Sequence, residues 1–172
     1  IKSISGIRGT IGGKVSNNLT PIDTVKFAAA YGMWLKNQSK KENLTVVIGR
    51  DARISGKMVS SLVSNTLVGL GINVTDIGLS TTPTVEVAVV LDHADGGIIL
   101  TASHNPKQWN ALKLLNEKGE FISAADGEEL LALAEGNTIE FAEVDLLGNY
   151  ISDQTYIQKH IDKIKEIKII DK

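Results

Sequence analysis

Apolar residues along the chain fall into short β-branched runs separated by longer stretches at helical spacing. Leu44–Ile48 and Gly96–Leu100 have the pattern of strands buried on both faces, and Ile72–Ile77, ended by Gly78, reads as another strand. Residues 111–115 read as a further short strand, turned at Asn116–Gly119. Near the start, the apolar segment Ile4–Ile7 leads into a glycine-rich stretch, Gly9 to Gly13. Four helices are predicted between these runs. Thr20 can cap the first, with Pro21 at its opening position and Asp23 in its first turn, and it runs to about Lys36. Ser55 can cap a second, in which Val59, Leu62, Val63, Thr66, Leu67 and Leu70 keep the helical period. Gly71 stands where a left-handed C-terminal cap is wanted. Thr82-Pro83 opens a third, to about Leu91, although Val85, Val87, Val89 and Val90 also suit a strand. Ala124–Ala134 is the fourth.

Strand and helix alternating in this way imply an α/β fold, a three-layer α/β/α sandwich around a mixed, mostly parallel sheet. Residues 1–136 form that first domain. After Gly136 the pattern changes: residues 137–149 read as an irregular connector, and Ile151–Ile170 contains a lysine-rich amphipathic helix with Tyr156, Ile157, His160, Ile161 and Ile164 at helical spacing. So short a tail cannot bury a core of its own. Residues 137–172 are therefore expected to be a connector and the beginning of a next domain, or else a terminal helix that packs back on the first.

Composition narrows the function classes. The net charge of −2 gives no support for a nucleic-acid or membrane-surface partner, each of which favours a basic excess. The chain has no cysteine, which excludes disulfides, thiolate metal sites and a cysteine nucleophile. No apolar run approaches the ~20 residues that span a bilayer, and a cytoplasmic location is expected.

One segment stands out for chemistry. In open α/β sheets ligands sit beyond the carboxyl ends of the parallel strands. Thr101-Ala102-Ser103-His104-Asn105-Pro106 follows the apolar strand at that position. Pro106 stiffens the loop, and a stiff loop that presents Ser103 beside His104 suits nucleophilic or phosphoryl chemistry. Every residue in it is also turn-friendly, so a plain turn is the competing reading. A serine hydrolase is disfavoured because the chain has no Gly-x-Ser-x-Gly elbow.

The longer string resembles the active-site serine loop of the α-D-phosphohexomutases, the phosphoglucomutase, phosphomannomutase and phosphoglucosamine mutase family. Three other segments resemble that family in the same order: Gly6-Ile7-Arg8-Gly9, the turn Gly49-Arg50-Asp51-Ala52-Arg53, and Trp109-Asn110-Ala111-Leu112-Lys113. The resemblance implies an isomerase that moves phosphate between the 1- and 6-positions of a hexose. Phospho-Ser103 would donate to the sugar phosphate, and Ser103 would take back the other phosphate from a bisphosphorylated intermediate. Arg8 would neutralise charge beside the phosphoserine. Lys113 would stabilise charge or act in proton transfer. His104 would serve as general acid/base or as an orienting partner, while Asn105 and Asn110 would fix the loop and help bind phosphate. Asp51 and Arg53 are expected to hold a turn behind the site, and His93 and His160 to be ordinary surface residues. Ala111 stands where the family has glycine, and would be strained if that position needs a positive φ. The family's Mg²⁺ is held by the phosphoserine, here Ser103, and by three carboxylates of an Asp-x-Asp-x-Asp motif in a second domain. This chain lacks that motif, so weak or no Mg²⁺ binding is expected. The implied partners are a hexose phosphate and three further domains of the same polypeptide, without which the chain would be inactive. The alternatives are a non-catalytic phosphosugar-binding or regulatory domain and a purely structural α/β domain.

Overall fold

The computed structural model describes residues 2, 3, 6–136 and 139–167. Seven strands, β1 (Lys2–Ser3), β2 (Gly6–Thr10), β3 (Thr45–Arg50), β4 (Asn73–Leu79), β5 (Gly96–Leu100), β6 (Trp109–Leu115) and β7 (Tyr150–Ser152), form one sheet in the order β1-β2-β6-β5-β3-β4-β7. β5, β3, β4 and β7 run parallel, while β6 and β1 lie antiparallel to their neighbours. The mixed sheet and its helices give the α/β/α class expected from the alternating pattern. Ile4 and Ser5 of the expected first segment, and the last residues of the expected tail helix, lie outside the described residues.

Helices cover both faces. On one side α1 (Pro21–Gln38), α2 (Gly56–Gly69) and α4 (Ala124–Glu135) bury Ala28, Leu35, Val63, Leu67 and Leu130 against Ile7, Val46, Ile48, Ile98 and Leu112 of the sheet. On the other, α3 (Thr82–Leu91) and α5 (Tyr156–Lys165) bury Val85, Val89 and Tyr156 against Val47, Ile77, Ile99 and Leu115. The alternation of Val46, Val47 and Ile48 between the two clusters is the period-two rule of a strand buried on both faces. Tyr31 of α1 closes the first layer. Its fully buried phenol donates to the Leu115 carbonyl at 2.6 Å, and burial pushes the phenol's pKa up.

The helix ends follow local chemistry. Thr20 and Asp23 form a reciprocal capping box at α1, and Ser123 with Asp126 does the same at α4. Burial works against the Asp23 carboxylate, but hydrogen bonds from Thr20 and Ser16 outweigh it and hold its pKa below the ordinary value. Gly71 adopts φ +79°, with Gly71 N–H donating to Val68 and Ile72 N–H to Leu67, the Schellman arrangement expected after α2. Thr82–Leu91 is helical despite its valines, because Thr81 caps it and its apolar side is buried on the sheet. Ser55 departs from expectation. It occupies the N-cap position of α2, but its own backbone is helical and its side chain caps nothing; the hydroxyl instead accepts from Asn110 Nδ2 at 2.9 Å.

Residues 139–167 stay on this sheet. A 3-10 turn at Val144–Leu146 leads into β7, which pairs parallel with β4, and α5 packs on α3. Tyr156 Oη donates to Asp92, and His160 Nδ1 lies 3.1 Å from Thr84 Oγ1. His160 is thus half-buried beside Thr84, a correction to its reading as an ordinary surface residue, whereas Ile157, Ile161 and Ile164 of the same spacing are exposed.

Candidate active site

The carboxyl ends of β3 and β5 and the start of β6 meet at one edge of the sheet. Residues 101–108 leave β5 there and return as β6. Within this loop Ser103 N–H donates to Thr101 Oγ1 at 3.0 Å, Asn105 N–H to the Ala102 carbonyl at 3.0 Å, and Trp109 N–H to the Pro106 carbonyl at 3.0 Å. Ser103 has φ +53°, a left-handed conformation that costs a non-glycine residue about 1–2 kcal/mol. Its hydroxyl is exposed at the tip of the loop, 3.5 Å from His104 Nδ1. That distance is the outer limit of a hydrogen bond, so His104 is at hand for the hydroxyl but not committed to it.

The strained tip is held from β3. Asp51 N–H donates to the Leu100 carbonyl, tying the end of β3 to the end of β5. Asp51 Oδ1 accepts from Arg53 N–H and Oδ2 from Arg53 Nε at 3.1 Å, which aims the guanidinium along the loop. Arg53 Nη2 then donates to the carbonyls of Ser103 (2.7 Å) and Asn105 (2.8 Å), and Nη1 to those of Pro106 and Trp109 (both 2.9 Å). All five guanidinium N–H groups have acceptors, and the side chain is only 10% exposed. Asp51 and Arg53 form the turn expected behind the site. What that turn holds is the serine loop itself. The four backbone carbonyls that receive Arg53 carry no side-chain signal, so sequence alone could not reveal this.

The other candidates separate into neighbours and braces. Arg8 pairs with Ala111, and Thr101 N–H donates to Ala111 on its other side, so Arg8 lies on the row of Thr101 about 10 Å away across two strand spacings. Ile7 faces the α1 layer, so Arg8 points to the opposite face, where it is exposed. Lys113 pairs with Ile99 and shares that face, with its ammonium 5.7 Å from the centre of the Phe121 ring. Asn110 is 0% exposed. It links β6 to α2 through Ser55, and its Oδ1 accepts from Ala111 N–H at 2.8 Å, so it braces the site from behind and is not open to a phosphate. Asn105 Oδ1 is buried with no hydrogen-bond partner. As an acceptor it suits a hydroxyl or ammonium donor rather than a phosphate oxygen. Ala111 sits in regular β6 and is not among the residues with positive φ, so alanine there carries no such strain.

Among the described residues no three His, Asp or Glu side chains converge to hold a metal ion. A lone serine or its phosphate is a poor Mg²⁺ site, since that ion wants six oxygens. The described residues therefore do not make up a metal centre.

A two-faced α/β/α sheet with a serine on a braced loop at the carboxyl end of a central strand defines a domain suited to covalent group transfer. Residues 2–140 match the family model for the phosphoglucomutase/phosphomannomutase alpha/beta/alpha domain I, and the chain belongs to that family. It is 34% identical to a phosphomannomutase of Vibrio cholerae, over 95% of this chain and 36% of the relative. It is also 34% identical to a phosphoglucosamine/phosphogalactosamine mutase of Sulfurisphaera tokodaii, over 95% of this chain and 35% of the relative. A solved phosphoglucomutase/phosphomannomutase family protein from Burkholderia thailandensis shares the fold, with TM-score 0.77 and 22% identity over 97% of this chain and 36% of that one. The chain thus spans about a third of the length of these relatives.

Proposed function

We propose that this chain is the phosphoserine-bearing first domain of a cytoplasmic phosphohexomutase, an isomerase that interconverts hexose 1- and 6-phosphates. In the forward step the Oγ–P bond of phospho-Ser103 breaks and a P–O bond forms to the free sugar hydroxyl, whose proton passes to a base while Ser103 Oγ takes up a proton. The sugar then carries two phosphates. In the return step the other sugar O–P bond breaks, Ser103 Oγ gives up its proton to a base and takes that phosphoryl group, and a proton returns to the sugar oxygen. Phosphoryl transfer passes through a loose, highly charged transition state, so catalysis consists mainly of alignment and charge neutralisation.

The observation that carries this reading is Ser103 itself, exposed at φ +53° on a loop whose carbonyls are clamped by Arg53. Such a tip keeps one orientation while the phosphoryl group leaves and returns. His104 is the nearest proton-transfer group among the described residues, and Arg8 supplies charge from the same row of the sheet. Lys113, now over Phe121, would have to swing toward the loop to share in catalysis. Sugar recognition, Mg²⁺ and turnover depend on domains beyond this chain, which alone is inactive.

Intact-mass measurement with phosphosite mapping tests the proposal, on this chain and on the longer protein that contains it, before and after glucose 1,6-bisphosphate. One added phosphate on Ser103 of the longer protein, lost together with mutase turnover in Ser103→Ala, is the expected result. Normal turnover by Ser103→Ala would leave a phosphosugar-binding domain without covalent chemistry.

A further inference from the structure

Away from Ser103, on the α2 side of the sheet, a cleft of about 440 Å³ opens between α2, the ends of β3 and β4, and the segment that carries Tyr150 and Gln154. Its α2 wall is polar. Lys57, Ser60, Ser61 and Ser64 share one helix face at i, i+3, i+4, i+7 spacing, beside the apolar face of Val59, Val63 and Leu67 that meets the sheet. Lys57 and Ser61 are exposed, whereas Ser60 and Ser64 are buried, and a buried polar group costs stability unless something satisfies it. Ser60 has Asp76 as a distant partner at 3.4 Å, but Ser64 is only 4% exposed and its hydroxyl has no partner at all.

The cleft is also cationic. Arg50 ends β3 and runs along the first turn of α2, since a Cβ on Gly56 would lie 3.5 Å from its Cδ and 3.6 Å from Nη1. Its guanidinium makes one hydrogen bond among the described residues, from Nη1 to the Asp51 carbonyl, long at 3.3 Å. Among the described residues neither Arg50 nor Lys57 forms an ion pair. The single facing carboxylate, Asp76, already receives Gly78 N–H at 2.8 Å and Tyr150 Oη–H at 2.9 Å, so its charge is spread over neighbouring donors. The formal balance of Arg50, Lys57 and Asp76 is one positive charge.

We infer that this cleft is a second ligand site, for a phosphorylated polyol such as a sugar phosphate, with the phosphate between Arg50 and Lys57 and the hydroxyls along Ser60, Ser61, Ser64 and Asp76. A guanidinium and an ammonium together suit a phosphate dianion. The hydroxyl row offers donors and acceptors to a polyhydroxy chain, including the unpaired Ser64 oxygen, and the volume lies within the ~300–1,000 Å³ of small-molecule sites. No residue of the 101–106 loop lines the cleft, and Arg8 and Lys113 belong to the opposite face of the sheet.

Amide NMR titration of this chain with glucose 6-phosphate, and separately with inorganic phosphate, tests the inference. Glucose 6-phosphate is expected to shift the amides of Lys57, Ser60, Ser61 and Ser64, and to bind about tenfold more tightly than inorganic phosphate. Lys57→Gln should weaken it about tenfold through the lost charge, and Ser64→Val several-fold through the lost hydroxyl. Ser103→Ala should leave these shifts unchanged, which separates this site from the phosphoserine proposal. Shifts confined to residues 101–106, equal affinity for inorganic phosphate, or an unaltered affinity in Lys57→Gln would each overturn it.

Discussion

The guanidinium of Arg53 donates to the carbonyl of Ser103 at 2.7 Å, across fifty positions of sequence. It ties the one strained residue of the loop to the end of the neighbouring parallel strand. A serine at φ +53° is held there because the same side chain also engages the carbonyls of Asn105, Pro106 and Trp109. Arg53 is a positioning residue, and its effect on chemistry runs through the geometry of Ser103.

Arg53→Lys should therefore be far from conservative. A lysine keeps the charge, but its three donors cannot serve five acceptors from one plane. Hydrogen bonds to charged groups contribute about 1.5–3 kcal/mol each and are not additive. Amide exchange of residues 103–109 is expected to accelerate at least about tenfold while the α1 and α2 amides stay protected. Unchanged exchange in the loop would mean that Arg53 does not hold it.

Ser103→Gly separates strain from chemistry. Glycine takes φ +53° freely, so the folded state should gain up to about 1 kcal/mol, offset by the greater freedom of glycine in the unfolded chain. Ser103→Ala keeps the strain and should be no more stable than wild type. Urea denaturation of the two variants, compared at the same slope, reads the difference.

Ala111→Gly tests the departure from the family's usual glycine. Ala111 lies in regular β6 between β2 and β5 and is buried. Glycine should cost roughly 0.5–1 kcal/mol there through backbone entropy. Stabilisation instead would show that the strand is strained at this point.

Asp153 links the start of α5 to pH. Hydrogen bonds from the side chain and backbone of Thr155, with Lys159 close by, lower its pKa from 3.8 to about 2. A carboxyl with a depressed pKa in the folded state adds stability above its unfolded value and loses it as pH falls through the folded one. Protection of the α5 amides should accordingly decline between about pH 4 and about pH 2. Asp153→Asn should show weaker protection at neutral pH and a flatter acid response over that window.

The sequence by itself determined the α/β/α class, β5 to the residue, the cap at Thr20 with Asp23 in the first turn, and the C-cap at Gly71, but left α3 open between helix and strand. Those features rest on nearest-neighbour chemistry and periodicity, which are written locally. It also marked the serine loop, because Thr101–Pro106 joins turn chemistry to an apolar strand end. The tertiary structure decided what the loop is tied to, since Arg53 meets main-chain carbonyls that have no residue type of their own. It decided that Ser55 serves Asn110 rather than its own helix, because the hydroxyl faces β6. It also decided where residues 150–165 go: their apolar pattern asks for a partner without naming one, and Tyr156 finds it on α3. Periodicity specifies which side of an element is buried, whereas the surface that buries it is fixed only when distant segments meet.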